Sequence, residues 1–106
     1  MKTITVKISK EKNWAGNEYL IYSSEQHGKL AEVDYPIKSD PYRKRPRVYG
    51  TEENPVIIEG ANGCNFVEFS GVPQALVGAE TLCKGILHGR GYETVVFDYP
   101  RTIKMK

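Results

Sequence analysis

Ala75, Leu76, Ala79, Leu82, Cys83, Ile86 and Leu87 fall within one arc of about 140° when the chain is wound as a helix. A stripe of that width must lie on an apolar surface of matching extent. Residues 3–9 alternate apolar and polar with period two and the later apolar runs are short and rich in β-formers, so the surface on offer is a sheet. The fold class that follows is α+β: a single domain over residues 1–106, built as a mostly antiparallel mixed sheet of about five to six strands. One principal helix, over residues 73–88, covers it.

The ends of that helix are written in the sequence. Ser70-Gly71-Val72 leads into it, and Pro73 is compatible with a first turn, where its missing N–H has no partner to lose. Glu80 and Lys84 form an i,i+4 pair on its flank. His88 near the last carbonyls and Gly89 just after them mark the stop.

Strands are expected on either side. Ile4, Val6 and Ile8 alternate with Thr3, Thr5, Lys7 and Ser9. After turn residues at Trp14-Ala15-Gly16-Asn17, Tyr19–Tyr22 reads as a second strand; after Gln26-His27-Gly28, Leu30–Tyr35 reads as a third. Val56-Ile57-Ile58 and Phe66–Phe69 are expected to pair through an Asn62-Gly63 hairpin. Glu93–Tyr99 supplies the last strand, so the C-terminal part reads as a βαβ-like unit. Pro36, Pro41 and Pro46 each lack a backbone donor, which places the segment between them on a loop or an edge. Trp14 near Gly16 could be an exposed anchor for a partner, but it is assigned to the core, the more ordinary use of a large aromatic.

Charge is segregated along the chain. Residues 37–49 carry five Lys/Arg and one Asp, whereas residues 50–73 carry four Glu and no base. Within the basic stretch, Arg43, Lys44, Arg45 and Arg47 are flanked by Tyr42 and Tyr49. Clustered cations suit a phosphate backbone and tyrosine rings can stack on bases. These six residues are therefore the candidate site for nucleic acid or a phosphorylated nucleotide-like ligand, with Arg90 of Gly89-Arg90-Gly91 as an auxiliary contact. The competing expectation is that Glu52, Glu53, Glu59 and Glu68 neutralise the loop.

A second candidate surface lies on the helix back. Gly78 and Gly85, with Thr81 beside them, fall opposite the apolar stripe, where each glycine costs roughly 1 kcal/mol of helix propensity relative to alanine. Small residues there permit close approach, so Gly78, Thr81 and Gly85 are candidate interface residues for a protein partner or a homodimer. The alternative function is accordingly a regulatory or inhibitory protein-interaction subunit, such as a phage-type antagonist of a host machine.

Catalytic signals are thin. Cys64, His27, His88 and Asp98 could compose a thiol site only if the fold assembled them, and no metal-ligand spacing is present. No catalytic residue, metal or cofactor is assigned, and the expected protein is not an enzyme. Cys64 and Cys83 are expected to be reduced. The N-terminus lacks a signal-peptide pattern and no segment is apolar enough to span a bilayer, which points to a cytoplasmic protein with no membrane partner.

Overall fold

The computed structural model describes residues 2–36, 44–56 and 66–101. They form β1 (Thr3–Lys12), β2 (Glu18–Ser24), β3 (Gly28–Asp34), β4 (Arg47–Tyr49), β5 (Phe66–Glu68), α1 (Val72–Gly89) and β6 (Thr94–Asp98). The strands make one sheet in the order β5-β4-β3-β2-β1-β6. Every neighbouring pair is antiparallel except β1 and β6. The α+β class, the mixed sheet and the principal helix are as the sequence predicts.

The alternation in β1 does what its pattern dictates. Ile4, Val6 and Ile8 are buried while Thr3, Thr5 and Lys7 are exposed. Register carries the buried face across the sheet, from Ile8 to Tyr22 to Ala31, and from Leu20 to Val33 to Val48. On this face α1 lays Ala75, Leu76, Ala79, Cys83 and Leu87, all buried, with Leu82 and Ile86 packed at the margin. Each of the larger side chains removed from water here contributes roughly 1.5–3 kcal/mol. Among the described residues, no second helix covers the opposite face.

Three features refine these expectations. First, β5 and β6 run in the same direction on either side of α1, as the βαβ-like unit requires, and they occupy opposite edges, so the crossover spans the whole sheet. The reason lies in β1, whose free edge receives β6: Thr3–Lys7 pair with Thr94–Asp98, and the Glu93 and Thr94 amides both donate to the Lys2 carbonyl. Second, the basic segment returns to regular pairing immediately after Pro46. Arg47–Tyr49 lies between β3 and β5, not on an edge, because the obligatory donors it needs begin at Arg47. Phe66–Glu68 is the partner of this strand; the expected Asn62-Gly63 hairpin lies outside the described residues. Third, the helix ends at Gly89 as expected, and the left-handed residue that closes it is Gly91. Gly91 has φ +96° and its amide donates to the His88 carbonyl, while the Tyr92 amide donates to Leu87. That is a Schellman closure, with the left-handed residue two places beyond Gly89.

The helix glycines differ. A Cβ at Gly78 would sit 2.3 Å from Cζ of Phe69, whereas one at Gly85 would meet nothing within 4 Å. Gly78 is where the Phe69 ring closes the corner between β5 and α1. Gly78→Ala should therefore destabilise the fold by about 1–2 kcal/mol, the overpacking cost exceeding the gain in helix propensity. Gly85→Ala should stabilise by up to about 1 kcal/mol. Urea denaturation midpoints of the two variants would check the opposite signs, and Phe69→Leu should recover part of the Gly78→Ala loss.

Candidate functional site

Sheet register determines which sequence-predicted residues share a neighbourhood. One row, Glu11-Tyr19-Asp34-Arg47-Glu68, crosses five strands at the end where β1 stops and β2 begins. Just beyond it lie the β1–β2 loop, residues 44–46 ahead of β4, and residues 69–71 ahead of α1. The Phe69 amide donates to the Pro46 carbonyl at 2.9 Å, which ties the basic segment to the chain entering the helix.

The basic residues divide into two groups here. Arg47 is committed within the chain: its Nε donates to Glu68 Oε2 at 2.9 Å and its Nη1 to the Tyr49 hydroxyl at 3.3 Å. Its guanidinium also lies 4.2 Å from the centre of the Phe66 ring, which in turn packs against Tyr49. Neutralisation by the acidic stretch is thus real for this residue, and Tyr49 serves as its support. Lys44 and Arg45 are exposed and join no ion pair among the described residues. Tyr42 and Arg43 lie outside the described residues.

Arg90 belongs elsewhere. It follows the far end of a helix that is about 27 Å long, whereas the basic segment adjoins the near end. There the Arg90 guanidinium is 3.8 Å from Glu53 and donates to Nδ1 of His27 at 3.4 Å. Because a guanidinium only donates, His27 Nδ1 is the acceptor and its Nε2–H donates to the Tyr92 hydroxyl at 3.0 Å. The auxiliary role expected for Arg90 is therefore withdrawn: helix direction separates it from Lys44 and Arg45.

On the helix back, Thr81 and Gly85 are exposed, and the Thr81 hydroxyl donates to the Val77 carbonyl one turn earlier. Gly78 is not part of that open strip, since the Phe69 ring already occupies the space that a partner would need. Close approach at Gly78 is intramolecular.

Beneath the helix runs a polar chain that the sequence did not reveal. The Tyr99 hydroxyl donates to Glu80 Oε2 at 2.6 Å, so the Tyr22 hydroxyl, 2.8 Å away, must donate to Tyr99. Burial pushes both phenols well above their ordinary pKa, and the hydrogen bond to Glu80 adds to the shift at Tyr99. Both remain protonated and act as a strut between sheet and helix, not as acid–base groups. Cys83 is a free, buried thiol beside this chain, and burial pushes its pKa up to about 12, with Glu80 adding to the effect. A thiolate there is disfavoured. Cys64, the other cysteine of the thiol hypothesis, lies outside the described residues.

Trp14 overturns its assignment to the core: it is 99% exposed. It sits in a loop that is held from within. Asn13 Oδ1 accepts from the Ala15 and Asn17 amides, the Asn13 amide donates to the Asn17 carbonyl, and Gly16 takes φ +82°. The signal was present in the sequence, because Asn13, Gly16 and Asn17 bracket the tryptophan with turn residues.

Cys83 offers a direct check on packing at the helix. In a Cys64→Ser background, maleimide labelling at neutral pH should be negligible for the native protein and complete in denaturant. Rapid native labelling would mean that the helix opens readily.

Compared with known protein families, with characterised proteins and with solved structures, the chain matches none.

Proposed function

We propose that this chain is a non-enzymatic binding module that engages nucleic acid through the basic end of its sheet. The observation that carries the proposal is the exposure of Lys44 and Arg45 without acidic partners among the described residues, beside a helix N-terminus. Gly71 caps that helix without a side-chain hydrogen bond, and no acidic residue occupies its first turn, so the local field favours an anion. Carboxylates on the open sheet face oppose an anion lying flat across it. Glu11, Glu32 and Asp34 are all there, and burial of Glu32 is outweighed by hydrogen bonding with Asp34 and Lys29, which holds its carboxyl below the usual range.

Arg47 enters as a structural residue. Its contacts with Glu68, Tyr49 and Phe66 hold β4 to β5, and leave it little to offer a ligand. No helix among the described residues is long and apolar enough to cross a membrane. A cytoplasmic location fits this proposal, since nucleic acid is accessible there.

Fluorescence anisotropy with labelled oligonucleotides, run at several salt concentrations, tests it. Affinity should fall steeply with salt. Lys44→Ala with Arg45→Ala should reduce the slope of log affinity against log salt by about 1.4–1.8, the loss of two phosphate contacts. Arg47→Ala should leave that slope unchanged and instead lower stability by about 1 kcal/mol. Salt-independent binding, or full affinity in the double variant, would refute the assignment.

A further inference from the structure

We infer that Trp14 is a stacking platform for an unpaired base, which makes the preferred ligand single-stranded rather than duplex nucleic acid; this rests on the binding proposed above. The indole is 99% exposed on a loop whose backbone is clasped by Asn13, so it is displayed in a fixed setting and not merely left on a loose tip. An exposed aromatic of this size gains nothing for the fold. It gains on binding, because a base laid on the ring removes apolar area from water on both partners.

Position supports the same assignment. The hairpin bearing Trp14 rises from the end of the sheet that also carries Lys44 and Arg45, because β1 ends where β4 begins. Its stem adds Lys12, which is exposed, and a shallow groove of ≈ 430 Å³ lined by Lys10, Glu11, Lys12 and Glu18. Lys10 is held by Glu18 at 2.6 Å, and Lys12, opposite Glu18 in the register, is the exposed stem cation that forms no ion pair among the described residues. The tip lies three strands across from β4, roughly 14 Å at the spacing of neighbouring strands. A short single strand can span that distance, with one base on Trp14 and its phosphates running toward Lys44 and Arg45. A duplex keeps its bases paired and stacked, and offers the indole no open face.

Trp14 is the sole tryptophan of the chain, so its emission reports directly on this contact. The probe is a fluorescein-labelled oligothymidylate of about 15 nucleotides, compared with a labelled duplex of equal length. Binding is measured by anisotropy, and tryptophan emission is followed in parallel with the unlabelled oligonucleotides. Quenching of Trp14 by the single strand is expected, with Trp14→Ala weakening single-strand binding roughly 5- to 100-fold and duplex binding hardly at all. Trp14→Phe should restore part of the loss, and both variants should unfold at the wild-type temperature because the side chain packs against nothing. If the single strand binds with full dependence on Lys44 and Arg45 but leaves Trp14 emission unchanged and tolerates Trp14→Ala, the stacking assignment is overturned while the basic site stands. If neither oligonucleotide binds, both fall, and the indole becomes an anchor for an apolar pocket on a protein.

Discussion

The apolar stripe of α1 is the constraint on which the rest of the molecule depends. Ala75, Leu76, Ala79, Cys83 and Leu87 are fully withdrawn from water only because β1, β2 and β3 present a continuous buried face beneath them. One helix is available for that task among the described residues, and it must cross from one edge strand to the other to do it. That crossing orients everything else. It brings the helix N-terminus to Pro46 and the basic segment, and carries Arg90 to the opposite end, where it meets His27 and Glu53.

Two arrangements, one polar and one of close packing, stabilise the crossing. The Tyr22–Tyr99–Glu80 chain satisfies hydroxyls and a carboxylate that burial would otherwise penalise, and it joins β2, the segment after β6 and α1. At the other corner, Gly78 admits the Phe69 ring against the helix, so the short connection from β5 can turn without a gap. Both devices are tertiary. Each depends on residues far apart in the chain meeting at one place, and each explains a side chain whose local context alone gives it no purpose.

Charge follows the same logic. A cluster that is uniformly basic in the sequence becomes heterogeneous once folded, because β-pairing selects which cation meets which acid. Arg47 lies opposite Glu68 in the register and is absorbed by it, while Lys44 and Arg45 precede the strand and form no ion pair among the described residues. Under the binding proposed above, Lys44 and Arg45 are the cations of the described segment left to meet an anion, at the end of the sheet on which they stand. Trp14 joins that end from the other side of the fold.

Much of this protein is determined by its sequence alone. The helix over 72–89 and the strands around Val6, Leu20, Val33 and Phe97 are legible because period 3.6 and period 2 are local properties, set by which side of the backbone each side chain leaves. The turn residues around Trp14 are legible for the same reason, although the exposure of the indole follows only when the loop is seen to project past the core. What the tertiary structure decided is partnership. That β6 joins β1, that Phe69 fills Gly78 and that Glu68 takes Arg47 are choices between residues separated by many positions. No local pattern encodes them, because the free energy of each contact depends on how the whole sheet is ordered.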